Sequence, residues 1–130
     1  MKFSREKPPI YADCAAKFSV SWKHTIFTYG DTIHSKHKIS PAKIAHEQVH
    51  ISQQLAYGVS EWWQRYLNDD SFRLSQEVEA YTAEIAWIRA NVRDYKLKTL
   101  KLNTILMDIC GAMYGYLVTP ESAKLLLGLS

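Results

Sequence analysis

Ser40-Pro41 and Gly58 bracket the segment that most restricts what this chain can fold into. Ser40 offers a side-chain oxygen to the free N–H groups of a first helical turn, and Pro41 suits the first helical position, where no N–H is needed. Gly58 supplies a conformation on which helices commonly stop. The spacing predicts one helix over 41–57, with Ile44, Val49, Ile51 and Leu55 as its apolar partners for burial. Inside it lies His46-Glu47-Gln48-Val49-His50. Positions i and i+4 share a helix face, so the two histidines can offer imidazole nitrogens to one ion. Glu47 is turned by about 100° from His46 and can reach a water held there without being a ligand itself.

The rest of the chain reads as a mixed first half and a helical second half. Residues 1–9 are expected to form an irregular arm. Lys17 to Tyr29 alternates partly through Phe18, Val20 and Trp22 and predicts one or two short strands. Gly30-Asp31 is a turn signal, and Thr32-Ile33-His34 opens a second extended piece leading to Ile39. Ser60 is expected to cap a short helix through Leu67, ended by Asn68-Asp69-Asp70. A long helix follows over 71–95, with apolar positions Leu74, Val78, Tyr81, Ile85, Ile88 and Val92 spaced by fours and threes. Further helices are expected over 99–113 and from Thr119-Pro120-Glu121 through Leu125 to Leu127. The fold class is therefore α+β: a small antiparallel sheet of two to three short strands, then a mostly helical core, in one domain over 1–130.

Composition narrows the partners. The 130 residues carry sixteen basic and thirteen acidic side chains, a formal charge of +3. The densest basic cluster, Lys96, Lys98 and Lys101, is expected at a solvated helix end, so no nucleic-acid partner is predicted. The two cysteines, Cys14 and Cys110, lack metal-ligand spacing and read as buried free thiols. No apolar run reaches the roughly 18 residues of a membrane span. The charged, proline-bearing first nine residues have no apolar signal core behind them, which gives an intracellular, cytoplasmic expectation. Oligomeric state is left open.

Catalytic zinc sites hold the ion with three protein ligands, His₂Glu among them, and keep a fourth position for water or substrate. The long helix supplies Glu77, Glu79 and Glu84. Glu77 shares a face with Arg73 and Glu84 and could pair with Arg73 one turn away. Glu79 shares its face with Ser75, Thr82, Ala83 and Ala86, small side chains that would let this helix press against the histidine helix. A carboxylate buried there would need a metal or a partner. Glu79 is the expected third ligand, with Glu77 the alternative. Gln53 and Gln54 either orient a ligand histidine or face water. Trp62 and Trp63, with Tyr57 and Tyr66, are expected in the core. Arg65 and Arg73 are expected to pair with Asp69 or Asp70.

Three pieces together resemble zincins of the gluzincin type, small single-domain HExxH metallopeptidases of bacteria and phages. They are Gly30-Asp31-Thr32-Ile33, Ile44-Ala45-His46-Glu47-Gln48-Val49-His50, and Phe72 to Tyr81. Glu79-Ala80 resembles the ligand-helix step of peptidases that cleave phage repressors. The resemblance implies one Zn²⁺ per chain on His46, His50 and Glu79, a peptide or protein substrate, and hydrolysis with Glu47 as general base. It also implies a substrate-binding edge strand near Thr32 to His34. An oxyanion donor is expected among His34, His37, Tyr81, Tyr114 and Tyr116. His34 and His37, in a Lys-flanked segment, read otherwise as exposed residues. Two other readings stand beside the peptidase: a non-catalytic module stabilised by zinc, and a regulatory or phage-associated interaction protein with a vestigial motif.

Overall fold

A computed structural model describes residues 1–129. In it helix α2 occupies Pro41–Tyr57, the span its end signals predict. The Lys43 N–H donates to Ser40 Oγ at 3.3 Å, and the Gly58 N–H donates to Gln54 O at 2.8 Å. Removing such a hydroxyl cap typically costs about 1 kcal/mol. The buried face of α2 is not the predicted apolar one. Ala42, His46, Glu47, His50, Gln53 and Gln54 point inward, while Leu55 is 86% exposed.

Helix α4 (Asp70–Asn91) packs against α2 and buries Tyr81, Ile85 and Ile88 of the expected stripe, together with polar groups that were not expected there. Its buried positions include Phe72, Arg73, Gln76, Glu77, Ala80, Tyr81, Glu84, Ile85 and Ile88, a stripe at helical spacing with four polar or charged members, Arg73, Gln76, Glu77 and Glu84. Leu74 and Val78, expected on that stripe, are only half-buried. Helix α3 (Val59–Asn68) links the two, and its Trp62, Trp63 and Tyr66 are buried in the core as expected, whereas Tyr57 is exposed. Asp69 closes α3 and caps α4, its Oδ1 accepting from the Phe72 N–H.

Ahead of α2 lie strands β1 (Lys2–Ser4), β2 (Phe27–Tyr29) and β3 (Thr32–His34), with helix α1 (Tyr11–Lys17) between the first two. Gly30, at φ 64°, turns the β2–β3 hairpin, as its turn signal predicts. The sheet is mixed, in the order β1-β3-β2: β2 pairs antiparallel with β3, and β1 pairs parallel with it. The expected irregular arm over 1–9 is corrected accordingly. Three residues are too few for alternation to show, and β1 is fixed by pairing alone. Residues 18–26 carry no strand; Phe18, Val20 and Trp22 pack on the core as half-buried loop residues instead.

The C-terminal elements are α5 (Tyr95–Ile109), a short 3-10 turn (Ala112–Tyr114) and α6 (Pro120–Leu127). Asp94 caps α5, accepting from the Leu97 N–H at 2.8 Å, so α5 starts a turn earlier than predicted and carries the lysine cluster on its own first turns. Thr119 caps α6 through the Ser122 N–H. Among the described residues the cysteines are free; Cys14 is buried, and Cys110 is half-buried rather than buried. Among the described residues no helix is long and apolar enough to cross a membrane.

Candidate metal centre

The inward polar faces of α2 and α4 meet. His46, Glu47 and His50 from α2 and Glu77 and Glu84 from α4 are each at most 5% exposed. His46 Nε2 and His50 Nε2 stand 3.2 Å apart. Two nitrogens bound at 2.0–2.1 Å to one tetrahedral zinc would be separated by about 3.3 Å. Glu77 reaches across from α4, with Oε1 3.2 Å from His46 Nε2 and Oε2 3.2 Å from His50 Nε2. Glu47 Oε2 is 3.5 Å from His46 Nε2, and the Thr28 hydroxyl on β2 donates to Glu47 Oε1 at 3.2 Å.

A second set of contacts holds these groups. His50 Nδ1 is 2.8 Å from Gln53 Oε1, which assigns a proton to Nδ1 and leaves Nε2 facing His46 and Glu77. Gln53 is fixed in turn by donating to Gln76 O at 3.1 Å. His46 Nδ1 is 3.0 Å from Glu84 Oε1, off the line of a good hydrogen bond. Lys43 Nζ stands 3.1 Å from Glu84 Oε2. The Tyr66 hydroxyl donates to Glu77 Oε2 at 2.6 Å. Tyr81 packs edge-on to the His46 ring, and its hydroxyl is 2.7 Å from that of Tyr114.

The third-ligand expectation changes here. Glu79 is exposed and sits beside Gln53, its Oε1 accepting from Nε2 at 3.3 Å. Ser75, Thr82 and Ala86 are exposed with it, so the face of small residues looks to solvent and the packing argument for Glu79 fails. Glu77 is the glutamate beside the histidines, not a solvated partner of Arg73. Arg73 instead donates to Tyr114 O, Tyr66 O and Asp70. Its pairing with Asp70 was expected, and Arg65 lies over the Phe72 ring.

Electrostatics tie the cluster together. Three carboxylates, Glu47, Glu77 and Glu84, stand against His46, and Glu84 also pairs with the ammonium of Lys43. Burial disfavours a charged His46, but Glu47, Glu77 and Glu84 outweigh it and carry its pKa from 6.5 up to about 10. His50 moves upward too, burial being overcome by Glu77 and Glu47. Burial pushes Glu77 up, yet His50 and His46 hold it well below the usual carboxylate range. Burial raises Glu47, and the two histidines offset it only in part.

A metal ion fits these residues. His46, Glu47 and His50 offer ligand atoms within 4.8 Å of one another. Among the described residues Glu77 Oε1 is buried without a hydrogen-bond partner, a costly state that a cation would relieve. Two histidine protons balance the excess negative charge when the site holds only protons. A divalent cation balances it equally and leaves the imidazoles neutral, as ligation requires.

A cavity of about 140 Å³ opens onto the cluster, walled by Phe18, Val20, Phe27, Trp63 and Met113 among others. Tyr81 and Tyr114 line it; His34, His37 and Tyr116 do not. His34 is buried rather than exposed, its Nδ1 donating to Glu6 O at 2.8 Å, while His37 is exposed as expected and Tyr116 is 75% exposed. The expected substrate-strand role of Thr32 to His34 is also corrected. β3 is the central strand, with both edges already paired. β2 is the edge beside α2, and Gln54 occupies part of it, donating to Thr28 O and accepting from the Gly30 N–H.

Sequence reasoning passed over Lys43 and Thr28, gave Tyr66 only a core-packing role, and set Glu84 among the candidate glutamates of the long helix without choosing it. A signal for Glu77 and Glu84 existed: they are seven residues apart and share the face of Tyr81 and Ile88. Comparison with protein-family models, curated proteins and solved structures finds no match.

Proposed function

We propose that this protein is a zinc-dependent peptidase of the zincin type, with His46, His50 and Glu77 as the metal ligands and Glu47 as the general base. The observation that carries this reading is the buried Glu77 Oε1, unpartnered among the described residues and aimed at the histidine pair. His46 Nε2 stands 3.2 Å from it, and a cation between the two would satisfy both.

A bound zinc ion would supply Lewis-acid activation of a water and of the scissile carbonyl. The chain supplies the rest. Glu47, anchored by the Thr28 hydroxyl, takes the water's proton and passes it to the leaving amine. Burial raises its pKa above that of an ordinary carboxylate, which favours uptake of that proton. Tyr81 and Tyr114 carry two hydroxyl protons between them, and their mutual hydrogen bond uses one. The other is free to donate, and Tyr114 is the proposed oxyanion donor.

The test is hydrolysis of a mixed peptide library by wild type and by Glu47→Gln, with zinc content measured on the same samples. The reading expects cleavage by wild type and none by the variant, both holding zinc. Full activity in Glu47→Gln would remove Glu47 from the mechanism. The near-complete burial of all four side chains favours one second reading, a zinc ion that only ties α2 to α4. That reading expects zinc and no cleavage by either protein.

A further inference from the structure

We infer that Tyr66 is a positioning residue that commits Glu77 to bind the metal through Oε1 alone. This rests on the metal-centre reading above. The Tyr66 hydroxyl has one proton and gives it to Glu77 Oε2 at 2.6 Å, with Tyr66 7% and Glu77 2% exposed. The short distance marks a charge-assisted bond. The donor cannot swing away. Its ring stacks on Trp62 with centroids 4.7 Å apart, and Arg73 Nη1 holds its backbone carbonyl at 2.7 Å.

The two oxygens of Glu77 are therefore unequal. Each lies 3.2 Å from a histidine Nε2, but Oε2 also carries the phenol, while Oε1 has no hydrogen-bond partner among the described residues. A hydrogen bond draws charge from the oxygen that accepts it, so Oε1 is the stronger metal donor. Binding through one oxygen keeps the ion at three protein ligands and leaves a position for water beside Glu47. Binding through both would crowd that position.

Replacing zinc by cobalt(II) makes the coordination number visible, because four-coordinate cobalt absorbs visible light more strongly than higher coordination. Wild type is expected to give the intense spectrum. Tyr66→Phe keeps the ring and loses only the hydroxyl. It should bind cobalt yet lose at least half of the visible absorption, as Oε2 is released to join the ion. A merely structural role would shift the melting temperature of the metal-free variant and leave the spectrum alone. A Tyr66→Phe spectrum identical to wild type, with cobalt bound, overturns the inference. Failure of wild type to bind cobalt or zinc overturns the metal-centre reading instead. If Tyr66→Phe does not fold, X-ray absorption of the zinc-loaded wild type decides: one carboxylate oxygen supports the inference, and two overturn it.

Discussion

Glu77 and Glu79 stand two residues apart on α4 and meet opposite environments: Glu77 lies against both histidines of α2, while Glu79 faces solvent beside Gln53. About 200° of helical rotation separates them. Glu77→Ala should therefore abolish stoichiometric zinc binding, weakening it by more than the ten- to hundred-fold typical of an outer-shell loss. Glu79→Ala should bind zinc within a few-fold of wild type. Equilibrium competition against a chromophoric chelator measures both, and the opposite ranking would restore Glu79 as the ligand.

Zinc binding should release protons near neutral pH. His46, held at about 10 by its carboxylate neighbours, and His50, raised with it, must give up protons to ligate. Apparent affinity should then rise with pH, by about tenfold per unit for each proton displaced. In the metal-free chain the sign is reversed for stability. A raised folded-state pKa makes the His46 contribution fully present below its unfolded value near 6.5 and lost as pH climbs through about 10. Calorimetry in buffers of different ionisation enthalpy counts the protons. Zero release at pH 7 contradicts the protonated metal-free site.

Tyr114→Phe should retain zinc and lower kcat by on the order of a hundred-fold, as loss of one oxyanion donor does in other hydrolases. Little change in KM is expected, because the hydroxyl acts on charge that develops only in the transition state. Steady-state kinetics beside metal analysis reads both. Unchanged kcat would leave the Tyr81–Tyr114 pair as core packing.

Chelation should destabilise the fold. Removing an ion present at a hundred times its Kd takes away about 2.7 kcal/mol, a fall of several degrees in Tm for a chain of this size. Glu84→Gln, which removes the carboxylate beside His46 Nδ1, should give a smaller fall and weaker zinc binding. Thermal melts with and without chelator test this; coincident curves would mean that no ion supports the fold.

Most helix boundaries were legible because they are set by local chemistry. Ser40-Pro41, Gly58 and Thr119-Pro120 act on their own turns and need no tertiary partner. Pairing across distance was not legible: β1 is a strand only because β3 lies beside it. The histidines and Glu47 were visible in one helical turn, whereas Glu77 was ranked behind Glu79 through a rule that usually holds. Core faces are expected to be apolar, so Ile44, Val49 and Leu55 were assigned inward on α2 and the small residues inward on α4. On α4 Tyr81, Ile85 and Ile88 point inward as expected but the small residues do not, and on α2 the polar face is the buried one, because the groups these helices bury have each other to satisfy them.

The most direct measurement is elemental analysis of purified wild type beside His46→Ala, His50→Ala and Glu77→Ala. One zinc per wild-type chain is expected, and none in the three variants. Wild type without zinc after exposure to it, or variants that hold it as tightly, would contradict the account.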